Sequence, residues 1–260
     1  MFGAIIGDIC GSVYEFNNHK TENEDEIILI RPDSFFTDDS VLTIAVADAC
    51  LHDKDYGASL RLWGMRYPRA GYGARFAMWL QSEHACPYNS WGNGSAMRVS
   101  PVAWISRSLE ETLLEAERSA AVTHDHPEGI RGAQATAAAV FLAKNGSSKD
   151  DIRLFIENRF GYDLQRSVAE IRTNYTFNES CQGTVPESLT VFLESRDFAH
   201  SLQLAVSIGG DTDTIACIVG GIAEAFYRDI PESLAAFAWS KLRPALRIPV
   251  EEFYKKFSGL

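Results

Sequence analysis

The sequence is poor in basic residues, has few cysteines and contains no long apolar run. Its 24 Lys and Arg residues are outnumbered by 35 Asp and Glu residues, which gives a formal net charge of −11. A surface of this charge repels the phosphate backbone of DNA and RNA, so general nucleic-acid binding is not expected. The same acidity is compatible with a site built from clustered carboxylates.

The five cysteines are scattered along the chain and include no C-x-x-C pair. This argues against a disulfide framework or a zinc site and favours reduced thiols in the cytosol. The N-terminal segment MFGAIIGDICG lacks a basic region, and the apolar stretch at 215–223 is too short to span a bilayer. We therefore expect a cytoplasmic protein that does not associate with membranes.

Apolar residues recur at the i, i+3 and i+4 spacing of a helix in five segments. These segments are 40–52, 110–122, 129–144, 186–195 and 214–228. Pro186 is expected in a first helical turn, Pro231 at the boundary of a segment, and only residues 27–30 suggest a strand. No linker or internal repeat divides the chain, so we expect one all-α domain over residues 1–260. The sequence has no long heptad pattern and no large apolar tail, so we expect a monomer.

Four polar clusters interrupt this helical pattern. They are GDICG at 7–11 with Glu15 after it, FTDDS at 36–40, NSWGNGSAMR at 89–98 and GGDTDT at 209–214. FTDDS and GGDTDT each come directly before a predicted helix, where Asp, Ser and Thr can cap free backbone N–H groups. One side chain suffices as a cap, and a second nearby carboxylate is repelled unless a cation lies between the two.

Carboxylates and hydroxyls are the ligands that Mg²⁺ and Mn²⁺ prefer, so these two clusters favour a metal site over two independent caps. If folding joins the clusters, five or six oxygen ligands could hold two ions roughly 3.5–4 Å apart. The spacing alone does not show that they meet.

Two further segments are candidates for ligand binding. GNGSAMR at 92–98 offers backbone N–H groups that can approach a phosphate, and Trp91 before it could stack on an adenine. The alternative for this segment is a surface turn with its aromatic residue packed on the core. THDHP at 123–127 leaves two roles open for His124, namely a structural hydrogen bond or a ligand contact.

These clusters, in this order, resemble the ADP-ribosylhydrolase family that includes dinitrogenase-reductase-activating glycohydrolase. The matching segments are GDICGSVYE, FTDDS, GNGSAMR, THDHP and GGDTDT. The resemblance implies an all-helical fold with a central cleft that holds two Mg²⁺ or Mn²⁺ ions. The metal ligands that it implies are Thr37, Asp38, Asp39, Asp211, Asp213 and Thr214.

The resemblance also implies which residues contact the substrate. Residues 89–94 would line the diphosphate, with Trp91 in the position of an adenine-stacking aromatic. The implied substrate-binding residues are Asp38, Ser90, Trp91, Gly92, Asn93, Gly94, Met97 and His124. Glu15 and Asp39 are the candidates for the catalytic carboxylate that accepts a water proton or assists the leaving group. Asp8 and Arg98 are expected to bridge loops beneath the site.

We therefore expect a metal-dependent hydrolase that cleaves an N- or O-glycosidic bond of ADP-ribose, carried by a protein or a small conjugate. The rim of the cleft is expected at residues 16–36 and 182–186, and the acids at 22–26 favour ADP-ribosyl-arginine. One alternative is a catalytically silent ADP-ribose-binding or structural relative, which the complete carboxylate set disfavours. The other is a metal-dependent nucleotide phosphohydrolase, which would release AMP instead of intact ADP-ribose.

Overall fold

Fifteen α-helices account for most of residues 1–257, the part of the chain that the computed structural model describes. In chain order they are Phe2–Gly11 (α1), Asp38–Leu51 (α2), Tyr56–Arg66 (α3), Ala74–Gln81 (α4), Gly94–Met97 (α5), Ser100–Ile105 (α6), Leu109–Ala121 (α7), Pro127–Lys144 (α8), Lys149–Phe160 (α9), Val168–Asn174 (α10), Cys181–Glu194 (α11), Phe198–Ser207 (α12), Thr212–Tyr227 (α13), Glu232–Lys241 (α14) and Pro244–Phe257 (α15). Short 3₁₀ turns lie at Glu15–Asn17 and Glu24–Glu26. The described residues contain no β-strand, which confirms the all-α class, and residues 258–260 of the predicted domain lie outside them.

All five predicted helices are present, as α2, α7, α8, α11 and α13. Four of them begin and end within two residues of the predicted bounds. Helix α11 begins at Cys181 because the Ser180 hydroxyl accepts a hydrogen bond from the backbone N–H of Gly183 and caps the helix there. Pro186 therefore lies inside the helix, and its predicted place in the first turn was wrong. Pro231 is the N-cap of α14, as the boundary prediction required.

The strand predicted at residues 27–30 is not formed. Ile27 and Leu29 are buried, whereas Ile28 and Ile30 are 60% and 43% exposed, which is the alternation of an extended segment. Within residues 1–257 no neighbouring strand supplies ladder hydrogen bonds, and the Ile28 carbonyl accepts one from the Tyr14 hydroxyl at 3.0 Å instead. The buried side chains of Ile27 and Leu29 therefore anchor a loop to the core.

Helices α1 and α13 pack directly against each other, backbone on backbone, in antiparallel directions. Gly3, Gly7 and Gly11 lie at intervals of four residues along one face of α1. A Cβ added at any of the three would overlap a backbone carbonyl of α13. The contact therefore depends on the missing side chains, and it brings Asp8 close to the start of α13.

The remaining helices extend this contact into one continuous apolar core. Helix α8 lies within it and contacts α5, α6, α7, α11 and α13. Alanines fill much of α8, so its neighbours approach closely. In the described part of the chain, no helix is both long enough and apolar enough to cross a bilayer.

We expect Gly7→Ala to destabilise the protein by about 3 kcal/mol, because the new Cβ meets backbone atoms that no rotamer change can move. Gly57→Ala, near the start of α3, is the matched control, since a Cβ there would be 3.6 Å from its nearest neighbour, Asp55 Oδ1. The control should change stability by less than about 1 kcal/mol, and in the stabilising direction. Urea denaturation of both variants is the measurement. Equal midpoints would contradict the backbone contact.

Candidate active site

Three helix ends bring the carboxylates of the two aspartate clusters together. Asp8 lies on α1, Asp39 in the first turn of α2 and Asp213 in the first turn of α13. The Thr214 hydroxyl donates a hydrogen bond to Asp39 Oδ2 at 3.3 Å, across 175 positions of the chain. The FTDDS and GGDTDT clusters therefore form one site.

Asp8 ties α1 to the beginning of α2. Its carboxylate accepts hydrogen bonds from the Thr37 backbone N–H at 3.0 Å, the Thr37 hydroxyl at 2.7 Å and the Ser40 backbone N–H at 3.1 Å, and also from the Ser40 hydroxyl. These bonds are the bridging interactions expected of Asp8. They also fix the direction in which α2 leaves the site.

Helix capping explains the threonine of the first cluster but not its carboxylates. Thr37 is the N-cap of α2, and its hydroxyl accepts a hydrogen bond from the Asp39 backbone N–H at 3.2 Å. Asp211 stands at the N-cap of α13 but makes no side-chain capping bond. The buried Asp39 Oδ1 has no hydrogen-bond partner at all. A buried carboxylate oxygen without a hydrogen-bond partner is costly, and a cation ligand is a role that would explain it.

The carboxylates form two groups with the dimensions of cation sites. Oxygens of Asp8, Asp39 and Asp213 lie within 4.8 Å of one another, and so do oxygens of Glu15, Asp211 and Asp213. Asp213 belongs to both groups. Because every donor is an oxygen, this set fits hard divalent cations.

Burial and mutual repulsion both disfavour the charged forms of these acids. The pKa values of Asp38, Asp39 and Asp213 lie well above the ordinary value, first because of burial and then because of neighbouring carboxylates. The same causes raise the pKa of Glu15 to about 8, and burial raises that of Asp211 to about 6. A cation among them would reverse this balance by stabilising the ionised forms.

Two glycines shape the turn that delivers the second cluster. Gly209 and Gly210 have φ values of +72° and +73°, a conformation that other residues rarely adopt. The Gly210 N–H donates to the Asn18 side-chain oxygen at 3.1 Å, which fixes the turn against the loop after α1. Asp211 then enters the site directly from this turn.

A cavity of about 300 Å³ lies beside the carboxylates. It brings together most of the residues predicted for the site, namely Glu15, Asp38, Asp39, Ser90, Gly92, Asn93, Gly94, Met97, His124, Asp211, Asp213 and Thr214. Thr37 and Trp91 do not line it. The volume is at the lower end of the range for small-molecule sites.

The glycine-containing loop is anchored to the carboxylate cluster through Asn93. Its side-chain amide donates to Asp211 Oδ2 at 2.6 Å and to the Thr184 hydroxyl at 3.0 Å. Its backbone N–H donates to the Glu179 carbonyl at 2.7 Å. Trp91, two residues earlier, is 48% exposed and packs edge-on against His126, with ring centroids 5.6 Å apart. The structure thus places Trp91 outside the cavity.

His124 faces the same loop as a neutral imidazole. A Cβ at Gly94 would lie 3.2 Å from His124 Nε2, so the ring edge points at the loop. Arg98 donates to the Thr123 hydroxyl at 2.8 Å, and that hydroxyl lies 2.7 Å from His124 Nδ1. Because a guanidinium only donates, the hydroxyl proton is free for Nδ1, and we assign the ring proton to Nε2. Burial, with Arg98 and Arg75 nearby, holds the pKa of His124 well below its usual value.

Part of the cavity wall was not predicted from the sequence. The additional lining residues are Leu42, Gly71, Gly73, Ala74, Arg75, Phe76, Tyr88 and Glu179, together with the buried Arg98. The sequence feature that could have indicated this part of the wall is the pair Gly71 and Gly73, which flank a tyrosine directly before α4. The same pattern is found in ordinary turns, so it does not by itself indicate a binding site.

The sequence and the fold were compared with those of known proteins. The sequence model of the ADP-ribosylglycohydrolase family matches residues 1–251. The ADP-ribosylarginine hydrolase Tri1 of Pseudomonas putida (strain GB-1) is 26% identical to this chain, in a match that covers 93% of this chain and 74% of Tri1. The ADP-ribosylhydrolase ARH3 of Mus musculus is also 26% identical, in a match that covers 89% of this chain and 84% of ARH3.

A solved structure shares the fold. A chain of an ADP-ribosylglycohydrolase-related protein complex superposes with a TM-score of 0.76 at 24% identity, covering 98% of this chain and 95% of the other. The match of the family model over nearly the whole sequence, together with this fold, identifies the chain as a member of the ADP-ribosylglycohydrolase family.

Proposed function

We propose that this protein is a metal-dependent ADP-ribosylglycohydrolase, which hydrolyses the N- or O-glycosidic bond between ADP-ribose and an acceptor. The observation that carries the proposal is the pair of carboxylate groups that share Asp213 beside the cavity. Relatives named as ADP-ribosylhydrolases support the choice of substrate class. The complete set of carboxylates supports an enzyme over a silent binding protein.

The proposed cofactors are two Mg²⁺ or Mn²⁺ ions. Asp8, Asp39 and Asp213 would hold one ion, and Glu15, Asp211 and Asp213 the other. Bound there, such ions would orient the ribose hydroxyls and lower the pKa of a water molecule. Asp38 lines the cavity outside both groups and would contact the substrate. The Thr37 hydroxyl, which donates to Asp8 and Asp39, and the Thr214 hydroxyl, which donates to Asp39, would support the ligand set.

The remaining side chains of the cavity have distinct proposed tasks. Cleavage at the anomeric carbon develops positive charge on the sugar, and the surrounding carboxylates stabilise that charge. Glu15 would accept the proton of the attacking water or assist the leaving group. His124 would offer its Nε2–H to the ligand beside the glycine loop, while Gly92 and Gly94 leave room for the diphosphate.

ADP-ribosyl-arginine is the substrate that we favour, but for a different reason from the one predicted. The acids at 22–26 include Glu24, which pairs with Arg172 at 2.7 Å, and none of the described residues 16–36 lines the cavity. Glu15 and Glu179 do line it, and the charge of Glu179 contributes to the raised pKa of Glu15. Two neighbouring carboxylates would stabilise a cationic guanidinium leaving group.

We also propose a single-domain monomer that works in a reducing compartment such as the cytoplasm. The five cysteines form no disulfide, and four of them are buried as thiols. The apolar core is continuous, and nothing within residues 1–257 divides it into two domains.

The proposal is tested by the identity of the product. ADP-ribosyl-arginine and ADP-ribosyl-serine peptides are incubated with the protein, in Mg²⁺ or in EDTA, and the products are identified by mass spectrometry. We expect intact ADP-ribose only with the metal, and faster release from arginine. AMP would instead show a phosphohydrolase. Binding of ADP-ribose without turnover of either peptide would contradict the enzymatic proposal.

Mn²⁺ should stabilise the folded protein by about 2.7 kcal/mol for each bound ion, at a free concentration one hundred times the Kd of that ion. Asp213→Asn should abolish this gain, because Asp213 belongs to both carboxylate groups. In EDTA the same variant should be at least as stable as the wild type, since one of several repelling buried charges is removed. Urea denaturation measures both effects.

The exposed Asp229 provides the control for this experiment, as Asp229→Asn should retain the full metal-dependent gain. A wild-type protein whose stability is the same in Mn²⁺ and EDTA would refute the proposed ion sites.

Glu15→Gln should lower kcat by about 10²–10⁴-fold at saturating metal, the range of a positioned acid–base group. Glu22→Gln is the control, because Glu22 is exposed and does not line the cavity. Steady-state kinetics on the preferred peptide is the measurement. A kcat within twofold of the wild type would remove Glu15 from the mechanism.

A further inference from the structure

Arg75 lies in the wall of the cavity without an acidic partner. It is the second residue of α4 and follows Gly73, the N-cap of the helix, by two positions. Its guanidinium carbon lies 4.9 Å from the centroid of the Tyr88 ring, and its Nη2 donates to the Tyr88 carbonyl. None of the ion pairs within residues 1–257 involves Arg75.

The cavity is asymmetric in charge. Six carboxylates line it, and they are those of Glu15, Asp38, Asp39, Glu179, Asp211 and Asp213. The cations of the lining are Arg75 and Arg98. Burial is the main reason why the pKa of His124 is lowered, and the charges of Arg98 and Arg75 lower it further. His124 in turn packs against Tyr88, with ring centroids 5.9 Å apart. Arg75, Tyr88 and His124 therefore form a continuous wall that ends at the glycine loop.

Hydrogen-bond donors without a protein partner lie next to this wall. Arg98 is fully buried, and its Nε and Nη1 have no hydrogen-bond partner. The N-cap of α4 is Gly73, which has no side chain to bond the N–H groups of the first turn. A guanidinium and free backbone N–H groups are the donors that bind phosphate oxygens in proteins.

We propose that Arg75 is a substrate-binding residue that contacts the phosphate groups of ADP-ribose. This inference rests on the proposed function, because it assigns one part of that substrate to one residue. The ribose end of the molecule would face the carboxylates, and the diphosphate would face Arg75 beside the loop at 92–94. The Tyr88 contacts hold the guanidinium in place before the substrate arrives, which lowers the entropy cost of binding.

The test separates the charge of Arg75 from its structural contact with Tyr88. Arg75→Gln keeps a hydrogen-bond donor for the Tyr88 carbonyl but removes the charge, whereas Arg75→Lys keeps the charge. Isothermal titration calorimetry with ADP-ribose gives the Kd of each variant at low and high salt. We expect Arg75→Gln to raise the Kd about tenfold or more at low salt. Arg75→Lys should raise it less, and the difference between the two should shrink at high salt.

Arg61 provides a matched control. Its guanidinium carbon lies 5.7 Å from the Trp79 ring centroid, and it donates to the carbonyls of Trp79 and Ser82. It does not line the cavity, so Arg61→Gln should leave the Kd unchanged. Urea denaturation should show that every variant remains folded, with a free energy of unfolding within about 2 kcal/mol of the wild type, since only surface hydrogen bonds and cation–π contacts are lost.

The outcomes for this inference and for the proposed function can be told apart. An unchanged Kd in Arg75→Gln, or an equal loss in Arg75→Gln and Arg75→Lys at every salt concentration, would overturn the role of Arg75. The hydrolase assignment would be unaffected if the wild type still released ADP-ribose. Conversely, charge-dependent binding at Arg75 without hydrolysis by the wild type would support the inference while contradicting the proposed activity.

Discussion

The direct backbone contact between α1 and α13 is the constraint on which the rest of the site depends. It exists because glycines occupy every fourth position of the α1 face that meets α13. The contact places Asp8 beside Asp213, and the hydrogen bonds of Asp8 then position the start of α2. Three carboxylate-bearing helix ends thus converge on one point, although they are far apart in the sequence.

This convergence brings several buried negative charges together, a repulsion that a bound cation would compensate. Several buried carboxylates lie close together, burial raises their pKa values, and the Asp39 Oδ1 atom has no partner. Proteins accept such an arrangement when a positive charge compensates for it. On the other side of the cavity, the two arginines and the neutral His124 supply donors in place of acceptors. The carboxylate side of the cavity suits the ribose of ADP-ribose, and the side with the arginines suits its diphosphate.

Much of this arrangement was predictable from the sequence because its signals are local. The helical period located α2 and α13, and the paired acids at their starts favoured metal binding over capping, although only the family resemblance implied that the two clusters meet in one site. The signals that failed depend on distant partners. The alternating apolar residues at 27–30 could not show that no strand lies beside them, and the charge of Glu24 is compensated by Arg172, 148 positions away. The wall around Arg75 was missed because glycines before a helix usually mark only a turn.

The central claim is that the contact of α1 with α13 assembles a single site for two cations, and diffraction from Mn²⁺-soaked crystals tests it most directly. An anomalous difference map at the manganese absorption edge locates each ion independently of the assumed ligands. The account predicts two peaks roughly 3.5–4 Å apart, with the carboxylate of Asp213 between them. A map without a peak among Asp8, Asp39, Asp211 and Asp213, or with manganese bound only elsewhere on the protein, would contradict it.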